Sequence, residues 1–143
     1  MLWCRASGRL ISAFGTLRAT YPTRVAGRPH KILVVDDDAD WRQLLRLCLD
    51  DLGYHTLEAS NGKEALETLS KEPCSVMLLD MRMPEMSGEE VLRRLPDDPP
   101  RVVCLTSASA HEVGRALQSG PHYYLPKGAS REQLALLLQS LEE

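Results

Sequence analysis

Three short apolar runs, Ile32–Val35, Val76–Leu79 and Val102–Leu105, are continuous rather than alternating, and each stops at a polar side chain. A strand with one wet face alternates; an unbroken run of four belongs to a strand covered on both faces, as in a parallel sheet between helical layers. Weaker runs at Tyr54–Leu57 and Tyr123–Leu125 bring the strands to five. Between them the apolar spacing becomes helical. Trp41, Leu44, Leu45, Cys48 and Leu52 fall at i, i+3, i+4, i+7 and i+11, and shorter stripes follow at Ala65, Leu66 and Leu69 and at Leu134, Leu137, Leu138 and Leu141. Asn61/Glu64, Ser87/Glu90, Ser109/Glu112 and Ser130/Gln133 each have capping-box spacing, and Asp38 is placed to cap the first helix. Five β-α units in succession predict an α/β fold: a doubly wound, five-stranded parallel sheet with right-handed crossovers and helices on both faces.

The polar residues that end the runs are the candidate site. Ile32–Val35 leads into Asp36-Asp37-Asp38, Val76–Leu79 into Asp80, and Val102–Leu105 into Thr106-Ser107; Tyr123–Leu125 passes through Pro126 to Lys127. In an open parallel sheet the carboxyl ends of the strands share one edge, and ligands bind in the crevice there. Each element alone has a plain explanation. An acidic run before a helix complements the helix dipole, Asp80 suits a turn ahead of Met83-Pro84, and a threonine ending a strand or a lysine in a loop is ordinarily structural or solvated. Independent plain causes would not set all four at successive strand ends. Pro126, with no amide hydrogen to give, requires the last strand to lie at a sheet edge.

Charge divides the chain. Residues 1–29 hold five arginines (Arg5, Arg9, Arg18, Arg24, Arg28) and no acid, leaving 12 basic against 20 acidic residues beyond them, a net of −8. An acidic body argues against a nucleic-acid surface, which needs clustered Lys and Arg, and suits a divalent cation. Glycines, prolines and the lack of periodicity before Lys31 predict a disordered basic leader over 1–29 and one domain over 30–143; an organellar transit peptide shares the leader's Arg-rich, acid-free composition. No stretch reaches the ~18 apolar residues of a membrane helix. Cys4, Cys48, Cys74 and Cys104 are too far apart for a zinc or disulfide framework and read as reduced thiols of a cytoplasmic protein.

Val-Val-Asp-Asp-Asp at 34–38, Leu-Leu-Asp-Met-Arg-Met-Pro-Glu-Met-Ser-Gly at 78–88, Leu-Thr-Ser at 105–107 and Tyr-Tyr-Leu-Pro-Lys at 123–127 together resemble the receiver domains of two-component response regulators. The resemblance runs from about Lys31 to Leu141. It implies a flavodoxin-like sheet in order 2-1-3-4-5, with Asp80 as phosphoacceptor, Asp36 and Asp37 as the acidic pair, Thr106 followed by Ser107 as the switch hydroxyls, Lys127 as the essential lysine and Tyr124 as the aromatic switch. It further implies Mg²⁺, held by Asp37, Asp80 and the backbone carbonyl of Arg82, with Asp36 acting through water. The implied partners are a histidine kinase or phosphotransfer protein upstream and a protein target downstream. The target would read a face built from the fourth helix (from Ser109), the last strand and the fifth helix (from Ser130). Such a domain is a signalling module rather than a dedicated enzyme.

Two features depart from the family's pattern. Gly128 follows the lysine where proline is common, with Pro126 before it, and a bulky cation, Arg82, stands two residues past Asp80. Arg82 also disfavours a phosphatase with an aspartyl nucleophile, which wants a second acid at that place. A pseudo-receiver working without phosphorylation is the other alternative, and the intact set Asp36, Asp37, Asp80, Thr106 and Lys127 gives it little support. A stand-alone receiver and one followed by an output domain both remain open.

Overall fold

The computed structural model describes residues 2–4, 9–11, 31–106 and 123–141. The elements are β1 (Leu2–Cys4), β2 (Arg9–Ile11), β3 (Lys31–Val35), α1 (Ala39–Asp51), β4 (His55–Ala59), α2 (Gly62–Lys71), β5 (Val76–Asp80), α3 (Gly88–Arg93), β6 (Arg101–Thr106), β7 (Tyr123–Pro126) and α4 (Arg131–Leu141). They divide between two units, Arg28–Gly128, and Met1–Gly27 with Ala129–Glu143.

The first unit carries a five-stranded, wholly parallel sheet in the order β4-β3-β5-β6-β7. Numbered among themselves, the strands run 2-1-3-4-5, as expected. β3 to β4 steps one way and every later connection steps the other, so right-handed crossovers put α1 on one face and α2 and α3 on the other. The buried side chains follow this division. Leu33 and Val35 of β3, Met77 and Leu79 of β5, and Val102 and Cys104 of β6 cluster with Ala65 of α2 and with Val91 and Leu92 of α3. Ile32, Val34, Leu78 and Val103, also fully buried, alternate to the opposite face. β5 is buried at all five positions, which is why its sequence does not alternate. β7 forms an edge, and Pro126 pairs there with Thr106.

The first helix differs from its expected stripe. Leu45 and Leu49 are buried, whereas Leu44 is 52% exposed. The inward arc is therefore Leu45 and Leu49, flanked by the half-buried 41, 48 and 52, and Leu44 belongs to the outer face. Each of the four described helix starts has the expected capping side chain, but the return bond varies: at α3 the Glu90 carboxylate pairs with Arg93 and Arg94. Asp38 Oδ1 accepts from the amides of Asp40 and Trp41, Asn61 Oδ1 from Glu64, and Ser87 Oγ from Glu90. Ser130 and Gln133 form the full reciprocal box at 3.2 and 2.9 Å. At α2 the return bond is displaced by one residue, because Glu64 accepts from Ser60 rather than from Asn61. The start expected at Ser109 lies outside the described residues.

In the second unit, β1 and β2 pair antiparallel, Leu2 with Ile11, Trp3 with Leu10 and Cys4 with Arg9, where no regular element was expected. Isoleucine and tryptophan are good strand formers. α4 buries Leu134, Ala135, Leu138, Gln139 and Leu141. Among the described residues no helix is long and apolar enough to cross a membrane.

Candidate functional site

The carboxyl edge of the sheet gathers the polar strand ends. Asp36 directly follows β3, Asp80 closes β5, and both are almost wholly buried. A buried carboxylate must be paired or hydrogen-bonded, and the chain provides for each locally. The amide of Asp38 donates to Asp36 Oδ1 at 2.9 Å, and the amide of Arg82 donates to Asp80 Oδ1 at 3.1 Å. The remaining oxygens share one cation: Lys127 Nζ lies 3.2 Å from Asp36 Oδ2 and 3.3 Å from Asp80 Oδ2. Lys127 reaches them because its amide continues the β6–β7 ladder, donating to the Thr106 carbonyl at 3.2 Å.

Asp36, Asp37 and Asp80 each present a carboxylate oxygen, and the three lie within 4.8 Å of one another; Asp37 is exposed and the other two are not. Three acids against one ammonium leave the crevice short of positive charge. Asp36 Oδ2 is buried without a well-directed hydrogen bond, so the nearby ammonium serves it by charge rather than by geometry. A hard divalent cation with oxygen ligands fits this donor set.

The electrostatics show the same strain. Burial drives the Asp80 pKa up to about 6; the Arg82 amide pulls it back, Asp36 pushes it further up, and Lys127 opposes that. Burial works against the Lys127 ammonium, but the two carboxylates outweigh it and hold its pKa above the ordinary lysine value.

Of the remaining site candidates, Thr106 ends β6 and is buried. The main chain of Arg82 stands beside Asp80 through its amide, while its side chain is exposed. Tyr124 pairs with Cys104 across β6 and β7, and its ring packs against the core cluster. Its buried hydroxyl makes no well-directed hydrogen bond but lies against the Cys104 thiol, and burial, then Cys104, pushes its pKa up to about 12. Ser107 and the helix expected from Ser109 lie outside the described residues.

Two residues beside the site went unassigned in the sequence. Arg42 donates to the Asp36 carbonyl at 2.6 Å and pairs with Glu58 at 3.7 Å, tying the acidic corner to β4. Trp41 lies under Lys127, whose Nζ is 5.8 Å from the ring centroid. The only signal for either was its place in the first turn of a helix beginning at the acidic run.

Residues 32–139 match the family model described as response regulator receiver domain. The chain is 39% identical over 113 residues to an uncharacterized 14.6 kDa protein in the sodA1 3′ region of Leptolyngbya boryana, covering 76% of this chain and 86% of that protein. It is 37% identical over 116 residues to the response regulator MprA of Mycolicibacterium vanbaalenii, covering 79% of this chain but 50% of that protein. The chain thus spans about half the length of the MprA relatives it matches. Among solved structures, the Vibrio cholerae chemotaxis protein CheY4 superposes with a TM-score of 0.70 at 27% identity, covering 80% of this chain and 99% of that one. A putative response regulator from Chloroflexus aurantiacus gives 0.74 at 25% identity, covering 81% and 100%.

Proposed function

The chain belongs to the response regulator receiver domain family, and on that premise we propose that it is a phosphoacceptor in a two-component relay, taking a phosphoryl group onto Asp80 from a phosphohistidine of a kinase or phosphotransfer protein. The observation that carries this reading is the Asp80 carboxylate itself. It is buried at a strand end, 3.3 Å from a lysine ammonium and within 4.8 Å of two further acids.

An Asp80 oxygen attacks phosphorus in line, the P–N bond to the donor imidazole breaks with its electron pair going to that nitrogen, and the ring leaves neutral, keeping the proton on its other nitrogen. The protein's task is positioning and charge, since the chemistry needs little acid–base help. The Arg82 amide fixes one Asp80 oxygen and leaves the other to attack. Lys127 moves from the carboxylates to a phosphoryl oxygen, and the Thr106 hydroxyl donates to another. Asp37, Asp80 and the Arg82 carbonyl would hold Mg²⁺, with Asp36 through water. Bound there, Mg²⁺ supplies the positive charge that the three acids lack. Drawing Thr106 toward the phosphoryl group opens room beside Tyr124, whose hydroxyl has no well-directed hydrogen bond to hold it. A downstream protein reads the resulting shift between two states. The setting is cytoplasmic, consistent with the unpaired thiols of Cys48, Cys74 and Cys104.

Intact mass after incubation with acetyl phosphate and Mg²⁺ tests the reading. One added phosphoryl group is expected on the native chain and none on Asp80→Ala. Equal labelling of both, or labelling of neither, would overturn it.

A further inference from the structure

We propose that Trp41 is a positioning residue for Lys127. Its indole face holds the ammonium as a cation–π partner, keeping the lysine inside the crevice until a phosphoryl group arrives. The inference rests on Asp80 being the phosphoacceptor.

Apart from the two carboxylates, little among the described residues holds the Lys127 side chain. Its main chain is tied at the amide, to the Thr106 carbonyl, but the residue after it is Gly128, and a Cβ built there would meet nothing within 4 Å. A four-carbon stem leaving such an open turn has many rotamers to lose. The carboxylates draw the ammonium inward at 3.2 and 3.3 Å. Both also face the cation that the site is suited to bind, and a carboxylate engaged by a divalent ion holds an ammonium less strongly. An aromatic face does not compete with the metal for oxygen. Trp41 offers that face at 5.8 Å, within the ~6 Å over which a ring quadrupole attracts a cation.

The main chain that carries the indole is fixed. Trp41 is the third residue of α1, and its amide is capped by Asp38 Oδ1 at 3.3 Å. The carboxylate-bearing strand end and the ring are thus joined through one short segment, Asp36 to Trp41. Apolar packing alone does not explain an indole here. Its N–H is buried without a hydrogen-bond partner, a cost that leucine or phenylalanine would avoid. What an aromatic ring adds over leucine is attraction for the neighbouring ammonium, and indole is the strongest of the ring types at that.

The test uses the full chain carrying Trp3→Phe, so that Trp41 is its single indole. Trp41→Leu and Trp41→Phe are compared for rate of phosphorylation by acetyl phosphate with Mg²⁺, followed by intact mass, with melting temperature as the control for folding. A cation–π contact predicts a loss of about three- to tenfold in Trp41→Leu and recovery to within about threefold in Trp41→Phe. Packing alone predicts that the rates of the two variants follow their melting temperatures. In a second arm, Lys127→Met is expected to change the Trp41 emission of the metal-free protein. A Trp41→Leu rate equal to the parent's, a Trp41→Phe rate as low as that of Trp41→Leu, or an emission unmoved by Lys127→Met would each overturn the proposal. A parent chain that takes no phosphoryl group would instead overturn the reading of Asp80 and, with it, the role in transfer.

Discussion

One ammonium serves two buried carboxylates, and that shortage sets the behaviour of the site residue by residue. With its pKa raised from 3.8 to about 6, Asp80 favours folding in its neutral form. The stability it contributes is present below about pH 4 and is lost as pH rises through about 6 in metal-free solution. Asparagine, uncharged and of the same shape, has no such loss. Asp80→Asn is therefore expected to melt higher than the native chain at pH 8 in a chelator, with the gap closing as pH falls toward 4. Thermal unfolding across that range checks it; a gap independent of pH, or of opposite sign, would sink the account. Asp37 is the exposed member of the acid cluster, so its replacement removes a proposed ligand without leaving a buried charge unpaired. Asp37→Ala is expected to weaken Mg²⁺ binding at least about tenfold while leaving the fold intact, as measured by titration calorimetry. Unchanged affinity would remove Asp37 from the ligand set.

Among the elements, the turn between β5 and α3 bears most directly on Asp80. Gly88 opens α3 against the Asp80 segment, where a Cβ would lie 2.7 Å from the Asp80 carbonyl oxygen and 2.7 Å from Met81 Cα. Both are main-chain atoms that cannot swing aside. The Gly88 amide also donates to the Met81 carbonyl, and Glu85 in the same turn holds a left-handed φ of 67°. Gly88→Ala is expected to destabilise the domain by about 1–3 kcal/mol through overpacking and to slow labelling of Asp80. Urea unfolding that shows no loss would mean that the turn shifts freely. These elements were legible in the sequence because a buried parallel strand cannot alternate and a helix start needs its cap, so β3, β5 and β6 and the caps at Asp38, Asn61, Ser87 and Ser130 are written locally. The inner and outer sides of α1 were not. Trp41, Leu44, Leu45 and Cys48 satisfy helical spacing equally well, and only contact with the sheet decides that Leu45 and Leu49 turn inward while Leu44 does not. The site was legible where its members end strands. It was hidden at Trp41 and Arg42, since an aromatic under a lysine and an arginine on a carbonyl leave no spacing signature.

For the molecule as a whole, the question is what the first 29 residues contribute. All their formal charge is arginine, five residues in all, against a net of −8 over the rest. Exposed opposite charges are worth little and are screened beyond about 8–10 Å at ordinary salt. The regular structure described there is three residue pairs between β1 and β2, with β1 in contact with α4; a two-stranded ribbon of that length is marginal by itself. Every strand of the parallel sheet, and every described residue of the crevice, lies between Lys31 and Lys127. A chain beginning at Gly27 is therefore expected to fold, to melt within a few degrees of the full chain, and to be phosphorylated by acetyl phosphate at an unchanged rate. Differential scanning calorimetry and the intact-mass time course decide it together. A drop of more than about 5 °C, which for a domain of this size is on the order of 1 kcal/mol, would make the β1–β2 pair an integral part of the fold. A severalfold change in rate at physiological salt would instead assign the arginines a part in the chemistry at Asp80.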